Sequence, residues 1–294
     1  MVKEKIASLI KRTRLEKGFS QKELSEGICA QAVISKIEKA EVSPSVELFF
    51  KLVKKLDIDS SVILELFQLK KSTEESILTD ELKSILYRRE YDTLEYFLQF
   101  FSKDSVSPIQ SSYIQYLNGV LLFGKYKKSN EALEILEGLL PTLVENVNLF
   151  LRVGIAIAGM YSELEEYAAS LNQYESLIHH YHESNDWELK VLFQYGYSRI
   201  LYLCNNFEKA LVYNAESLEL LKNRNTLFML GNTLLMRANI LAKRSIISEA
   251  IDMVKKSIVV YDLEGDELLK NLAQSLLIDL LEQESQDEKE INEI

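Results

Sequence analysis

Four side chains within residues 20–38 have the types and spacing that would let them contact the bases of a DNA duplex. The stretch reads SQKELSEGICAQAVISKIE. Gln31 can pair bidentately with adenine, and Lys36 can contact guanine or a phosphate. Ser35 can contact any base, and the small Ala32 can pack on a thymine methyl group. If this segment is helical, all four point outward while Ile34 and Ile37 point inward.

The local signals predict two short helices joined by a tight turn. Ser20, followed three residues later by Glu23, is a capping box that starts a helix running to about Glu26. Gly27 then permits the turn, and the segment with the four candidate side chains forms the next helix. This arrangement is a helix-turn-helix, whose second helix enters the major groove and reads bases near its N-terminus.

Further short helices are predicted around this pair. Apolar residues recur at helical spacing over residues 3–17, and Gly18 supplies a stop. Ser43 is expected to cap another helix, with Pro44 at its first position. Residues 58–72 carry an apolar stripe typical of a linker helix.

The first 64 residues resemble the Cro/C1-repressor (XRE-type) helix-turn-helix family, over about residues 4–64. The turn is one residue shorter than the commonest form, as in the branch of PlcR-like, pheromone-responsive regulators. The resemblance implies that Gln21 and Ser35 touch phosphates while Gln31, Ala32 and Lys36 face bases. The alternative is a small helical bundle whose lysine-rich faces are merely solvated. The matching residues are Ser20, Gln21, Leu24, Ser25, Ile34, Ser35, Lys36, Ile37, Glu38 and the closing SPSVELFFKLVKKLDI.

Charge divides the chain into a basic head and an acidic body. Residues 1–57 contain twelve Lys or Arg against eight acids, whereas the formal net charge of all 294 residues is −11. The attraction to phosphates depends on the local field, because charges farther apart than about 8 Å are largely screened at physiological salt. A DNA-binding head on an acidic body is therefore physically consistent.

Composition indicates an all-α, cytoplasmic protein. Only ten glycines and three prolines interrupt a chain that is 47% hydrophobic, which favours helices over sheets. The two cysteines, Cys29 and Cys204, form no disulfide framework. The charged start does not resemble a signal peptide, and no apolar run reaches the roughly 18 residues of a membrane span.

From residue 73 onward a helical hairpin repeats. Ala169, Ala210 and Ala250 lie 41 and 40 residues apart in similar aliphatic segments. Small residues on the preceding helices, such as Ser198 and Ala238, would let paired helices approach closely. The pattern resembles degenerate tetratricopeptide repeats and implies a right-handed helical solenoid. The predicted domains are a helix-turn-helix head (1–64), a linker helix (58–72), a repeat domain for peptide sensing and dimerisation (73–283) and a disordered acidic tail (284–294).

The first helix of each repeat is expected to line the concave face, which suits an extended peptide. Asparagine side chains can pair with a peptide backbone, tyrosines offer wide contact, and an arginine can take a terminal or side-chain carboxylate. The alternative is that the tyrosines only pack between helices. The candidate peptide-binding residues are Tyr113, Tyr116, Tyr195, Arg199, Tyr202, Asn232 and Asn239.

No pattern in the sequence argues for catalysis or for a cofactor. His179, His180 and His182 offer too few ligands for a metal without an acidic or thiol partner, so a solvated helix end is the preferred interpretation. No phosphate-binding loop, nucleophile elbow or zinc-protease motif occurs. We therefore predict no enzyme activity and no bound metal.

The two halves together resemble the peptide-pheromone-sensing regulators of Gram-positive bacteria, the RNPP grouping. The resemblance implies a homodimer that binds a two-fold-symmetric operator in double-stranded DNA and is switched by a short signal peptide. Three alternatives remain: a repressor that uses its repeats only to dimerise, a regulator whose groove binds a partner protein, and a tetratricopeptide adaptor without DNA binding.

Overall fold

A computed structural model of the chain describes residues 2–59, 62, 80–99 and 107–292. Within these ranges every regular element is a helix, and none of the helices is long and apolar enough to cross a membrane. The predicted all-α class is confirmed. The helices are α1 (Val2–Glu16), α2 (Gln21–Ser25), α3 (Gln31–Glu38), α4 (Val46–Lys55), α5 (Asp80–Tyr87), α6 (Tyr91–Leu98), α7 (Pro108–Gly124), α8 (Ser129–Leu139), α9 (Val147–Glu163), α10 (Tyr167–Ser176), α11 (Ile178–Glu183), α12 (Trp187–Leu203), α13 (Phe207–Arg224), α14 (Leu230–Lys243), α15 (Ile247–Glu264) and α16 (Glu267–Asn292).

The chain divides into two compact units, residues 1–139 and 140–294. The first unit contains the head, α1 to α4, and the helix pairs α5–α6 and α7–α8. Of the predicted linker helix, 58–72, residues 60, 61 and 63–72 lie outside the described part of the chain.

The head is a small bundle around one apolar core. Ile10, Leu24, Ile34 and Leu52 come from four different helices and are fully buried there. Gly18 and Gly27 adopt positive φ angles of 73° and 75° after α1 and α2, as their positions at helix ends require. The helix ends predicted at these glycines are present.

The fourth helix starts two residues later than predicted. Ser45 is its N-cap, and its hydroxyl accepts a hydrogen bond from the backbone N–H of Leu48 at 3.2 Å. The expectation that Ser43 caps this helix with Pro44 in its first turn is wrong. Two serines flank the proline, and the later one has its hydroxyl within reach of the third helical amide, which fixes the start of the helix.

Within the first unit, α6 packs against the head and against α7. The rings of Phe50 on α4 and Tyr96 on α6 stack with centroids 4.8 Å apart. Lys125, just after α7, lies 2.6 Å from Asp92 and 2.5 Å from Glu95 on α6. Aromatic packing and ion pairing thus tie the head to the first repeat-like helices of the same unit.

The second unit consists of the helix pairs α9–α10, α12–α13 and α14–α15, followed by α16. The turn inside each pair contains a residue with positive φ: Glu165, Asn205 and Ser245, with angles of 62°, 60° and 60°. These three residues are spaced by 40 positions. The predicted repetition near 40 residues therefore corresponds to a repeated backbone turn.

The register of this repeat differs by one residue from the sequence alignment in the α9–α10 pair. Ser170, rather than Ala169, is fully buried there, and its Oγ donates to the carbonyl of Ala158 at 2.7 Å. In the next pair the serine lies on the first helix instead of the second. Ser198 Oγ on α12 donates to the carbonyl of Ala210 on α13 at 2.9 Å. Small residues do face each other between paired helices, as predicted, but at Ser170 and not at Ala169.

The final helix continues to Asn292, whereas residues 284–294 were expected to form a disordered tail. The segment is rich in Glu, Gln and Lys, which have high helix propensity. Because α16 is already nucleated by its packed first turns, each further residue adds a hydrogen bond without a new nucleation cost. The structure describes residues 284–292 as helical, and residues 293 and 294 lie outside the described part of the chain.

Candidate DNA-binding and ligand-binding surfaces

The two helices of the helix-turn-helix are set by a complete capping box. Ser20 Oγ accepts from the Glu23 N–H at 3.1 Å, and Glu23 Oε2 accepts from the Ser20 N–H at 2.7 Å. These hydrogen bonds lower the pKa of Glu23. On the other side of the turn, Lys55 donates to the Glu26 carbonyl at 2.6 Å and so connects α4 to the end of α2.

A chain of polar contacts leads from the core of the head to the first residue of α3. Arg14 Nε lies 2.5 Å from Glu38 Oε1, and both side chains are almost completely buried. Gln21 donates to Glu38 Oε2 at 2.8 Å, and Gln31 donates to Gln21 Oε1 at 2.8 Å. Gln31 is therefore held in place by side chains before any DNA is present.

The protonation of Glu38 is fixed by these contacts. Burial raises the pKa of Glu38, but the hydrogen bonds from Arg14 and Gln21 outweigh burial and leave the pKa below its usual value. The hydrogen bond to Glu38 raises the pKa of Arg14 in turn. Both groups stay charged at neutral pH, and the carboxylate can accept from Gln21.

The predicted base-contacting residues are exposed on one surface of α3. Gln31, Ala32 and Lys36 are exposed, whereas Ser35 and Gln21 are half-buried. Ile34 and Ile37 are buried on the opposite side. The structure thus places all five predicted side chains on or beside one surface of the head, with types that suit base and phosphate contacts.

Sequence reasoning missed the functional relevance of Arg14 and assigned no role to Glu38. A signal was available for Glu38, because it lies four residues after the buried Ile34 and shares its helix face. A carboxylate on that face requires a buried cationic partner, and Arg14 is the arginine that occupies the position.

In the second unit, five of the predicted peptide-binding residues lie on α12 and α14. Tyr195, Arg199 and Tyr202 follow one another at helical spacing on one side of α12. Asn232 and Asn239 lie at helical spacing on one side of α14. All five side chains are half-buried. We call these five residues the polar face.

The helices that carry the polar face are held together by a common apolar core. Phe193, Tyr197 and Ile200 on α12 pack in one cluster with Met236 and Ile240 on α14. Tyr195 and Tyr202 also pack against this cluster as partly buried residues, so part of the polar face contributes to the packing between the helices.

Hydrogen bonds within the polar face are few. Arg199 Nη1 donates to Ser162 Oγ on α9 at 3.2 Å, and no carboxylate of the described residues pairs with this guanidinium. Asn239 Nδ2 donates to the Leu235 carbonyl of its own helix at 2.9 Å. Asn232 Oδ1 is buried and has no hydrogen-bond partner in the described part of the chain. The face thus retains capacity for further hydrogen bonds and for an anion.

Tyr113 and Tyr116 differ from the other predicted peptide-binding residues. Both lie on α7, in the first unit, and are only 5% and 7% exposed. The positive-φ turn after α7, at Lys127, precedes the one at Glu165 by 38 residues. This spacing aligns Tyr113 with the buried Leu151, a packing position.

The three histidines occupy the short helix α11. His179 Nε2 lies 3.2 Å from Glu183, and the ring of His180 stacks on Phe150 with centroids 4.0 Å apart. Among the described residues no group of three or more potential metal ligands is found.

Comparison with known protein families matches both parts of the chain. Residues 10–63 match a helix-turn-helix family, and residues 123–276, more than half of the chain, match the RNPP family C-terminal domain. The chain belongs to the RNPP family. Members of this family with a helix-turn-helix are transcriptional regulators, so the predictions of a regulator and of a protein that is not an enzyme are confirmed.

Solved structures share the fold over nearly the whole chain. PlcR of Bacillus thuringiensis in complex with the peptide PapR7 and DNA is 23% identical, with a TM-score of 0.63 over 92% of this chain and 99% of that chain. Apo PlcR is 21% identical, with a TM-score of 0.56 over 92% and 98%. Apo ComR from Streptococcus vestibularis is 15% identical, with a TM-score of 0.52 over 95% and 99%. No protein with a curated description matches the chain significantly in sequence.

Proposed function

We propose that this RNPP protein is a cytoplasmic, dimeric quorum-sensing regulator whose DNA affinity is controlled by a short peptide bound at the polar face. Residues 1–64 would bind a two-fold-symmetric operator through Gln21, Gln31, Ala32, Ser35 and Lys36. The repeat region, residues 73–283, would bind the peptide and hold two chains together. The similar PlcR structure that contains both PapR7 and DNA supports a design in which one chain serves both ligands.

The observation that carries the peptide proposal is the composition of the polar face. Two asparagines on one helix can pair with a peptide backbone in both directions, because each amide has a donor and an acceptor. Asn232 Oδ1 lacks a partner among the described residues, and a backbone N–H of a bound peptide would supply one. Tyr195 and Tyr202 add wide contact surfaces with little conformational entropy to lose.

The test is calorimetry of Asn232→Ala with short synthetic peptides encoded beside the gene. Loss of a buried backbone contact costs about 1 to 3 kcal/mol, or roughly 5- to 150-fold in affinity. Asn271→Ala serves as the control, because Asn271 is an exposed asparagine on α16. The Asn232→Ala variant should still bind the operator in the absence of peptide, since its DNA-binding head is unchanged.

Two outcomes would count against the proposal. Unchanged affinity of Asn232→Ala for a peptide that binds the wild type would place the peptide on another surface. If no peptide encoded beside the gene binds the wild-type protein, the result would favour a repressor that uses its repeats only to dimerise.

A further inference from the structure

A cleft of about 540 Å³ lies between the DNA-binding head and α6, within the first unit. One wall is the second half of α4 with the turn that follows it, and it includes Lys54 and Ile58. The other wall is the last turn of α6, and it includes Tyr96 and Gln99. The volume falls within the range of about 300 to 1,000 Å³ that is typical of small-molecule sites.

The floor of the cleft is apolar and is held in place by the core of the head. Phe50 and Val53 line the cleft, belong to that core and are only 7% and 3% exposed. The rings of Phe50 and Tyr96 are nearly parallel, with an interplanar angle of 13°. An apolar ligand would therefore meet a surface that exists before it binds, so little side-chain ordering opposes its binding.

The charges around the cleft leave one cation without a counter-ion. Asp57 lines the cleft, but its carboxylate pairs with Lys17 of α1 at 3.2 Å. The exposed ammonium group of Lys54 has no ion pair or hydrogen bond in the described part of the chain. The negative C-terminal end of α4 opposes this charge only partly, because the Val53 carbonyl already accepts from the Ile58 N–H at 3.0 Å. The cleft therefore favours an anion beside Lys54.

A hydrogen-bond donor is available on the opposite wall. Gln99 is the C-cap of α6, and its backbone N–H donates to the Glu95 carbonyl at 3.2 Å. Its side-chain amide is exposed and has no partner among the described residues. A carboxylate has two oxygens, so one can accept from an ammonium group and the other from an amide. A single carboxylate could thus connect the two walls.

We propose that this cleft binds a small carboxylic acid with an apolar body of about the size of a fused ring pair. The carboxylate contacts Lys54 and Gln99, and the apolar body lies on Val53, Ile58 and Tyr96. Such a ligand adds contacts between the head and α6. The site does not depend on the proposed peptide function, because none of its residues belongs to the polar face.

The experiment uses probes of nearly the same shape and different charge: 1-naphthoate, 1-naphthamide and 1-naphthylmethylammonium. Each probe is titrated into the full-length protein with isotope-labelled isoleucine methyl groups, and binding is followed by NMR. The variant Ile58→Leu assigns the Ile58 signal. The methyl group of Ile251, in the core of the repeat region, is the reference for binding elsewhere.

1-Naphthoate should shift the Ile58 signal through its ring current and leave the Ile251 signal unchanged. It should bind at least about fivefold more tightly than the amide, because only the anion makes a charge-assisted contact with an ammonium group. Lys54→Gln should remove this preference, whereas Lys255→Gln, at an exposed lysine of α15, should retain it. Gln99→Leu should weaken the binding of 1-naphthoate by about two- to tenfold.

Each remaining result would overturn part or all of the inference. An unshifted Ile58 signal at millimolar 1-naphthoate would remove the site itself. Equally tight binding of the amide, or tighter binding of the ammonium probe, would show that the site is not selective for an anion. A preference for the anion that survives Lys54→Gln would place the carboxylate away from Lys54. All of these results leave the peptide proposal untouched, since the polar face is intact in every variant.

Discussion

At the scale of single residues, the head holds its recognition surface in place before it meets DNA. Gln31 would otherwise lose side-chain freedom on binding, but Gln21 already fixes it through a 2.8 Å hydrogen bond. A pre-ordered side chain spares part of the entropy cost of association. If Gln21 and Gln31 contact DNA as proposed, the buried Arg14–Glu38 pair would contribute to recognition indirectly, by anchoring Gln21.

Substitution of the exposed residues of α3 should weaken specific binding. We expect Gln31→Ala and Lys36→Ala each to reduce operator affinity by about 1 to 3 kcal/mol, because each would remove a bidentate or charged contact. Lys255→Ala, at an exposed lysine of the repeat region, is the control for the loss of one positive charge. Mobility-shift titrations on the native promoter measure the effect, and wild-type affinity in both α3 variants would contradict the assignment.

The stability of the head should depend on the ionisation of Glu38. Its folded-state pKa is lowered from the model-peptide value of 4.5, so the unfolded chain takes up the proton first as the pH falls. The stabilisation is fully present above about pH 4.5 and is lost as the pH drops through the folded-state pKa. Glu38→Gln should cost about 3 to 5 kcal/mol at pH 7, because it leaves Arg14 buried without a charged partner.

Urea unfolding at pH 7, 4.5 and 3 tests this dependence. The free-energy difference between wild type and Glu38→Gln should shrink from pH 4.5 to pH 3, since the wild type also loses its carboxylate there. Glu41→Gln, at an exposed glutamate of the head, should show no such convergence. A difference that is constant with pH would mean that the ion pair does not control the stability of the head.

At the scale of helices, the close approach within a repeat depends on glycine. A Cβ at Gly154 on α9 would overlap the side chain of Leu177, which is fully buried, whereas a Cβ at Gly159 on the same helix would meet nothing within 4 Å. We expect Gly154→Ala to destabilise the protein by about 1 to 3 kcal/mol through overpacking. Gly159→Ala should stabilise it by about 0.5 to 1 kcal/mol through helix propensity.

The pair forms its own control, since both substitutions are the same and lie in one helix. Thermal unfolding followed by circular dichroism should give midpoints that move in opposite directions. A lower midpoint in both variants would indicate that α9 tolerates no added methyl group, and a higher midpoint in both would remove the argument for a tight α9–α10 contact.

Helix starts were predictable from the sequence where one residue could act as the cap, and not where several could. Ser20 with Glu23 gave the correct start of α2 because the reciprocal hydrogen bonds of a capping box need both residues. Ser43 and Ser45 are the same residue type on either side of Pro44, so only the backbone geometry decides that Ser45 caps α4. Ala169 and Ser170 are similarly small, so spacing alone could not show which one faces α9.

The predicted binding residues differ in the same way: the exposure of some could be derived from the sequence, and that of others could not. Gln31, Ala32 and Lys36 are exposed as expected, because a single apolar pattern, with Ile34 and Ile37 inward, fixes the orientation of a short helix. The tyrosines of α7 are buried, and the spacing between the turns at Lys127 and Glu165 is 38 residues instead of 40, so a strict 40-residue register does not extend to α7.

At the scale of the molecule, the distribution of charge matches a division of labour. The basic head offers local attraction to phosphates, and the acidic remainder disfavours contact with DNA elsewhere, because screening confines each effect to its own surface. Non-specific affinity should therefore arise from the head alone and fall steeply with salt, in proportion to the number of phosphates that its lysines neutralise.

Symmetry leads to the last prediction, which concerns assembly. One head covers a half-site, so tight binding requires two heads on the same side of the duplex, about 10 to 10.5 base pairs apart or a multiple of this. Light scattering at micromolar concentration should give about twice the chain mass of 33.9 kDa. Inserting about five base pairs between the half-sites should weaken binding, and inserting about ten should weaken it less, because a full turn returns the two half-sites to the same side of the duplex.

By linkage, a peptide that changes the affinity for operator by some factor must itself bind with an affinity that differs by the same factor when operator is present. A monomer that binds one half-site independently of spacing would contradict the dimer, while equal peptide affinity with and without operator would leave a dimer that the peptide does not control.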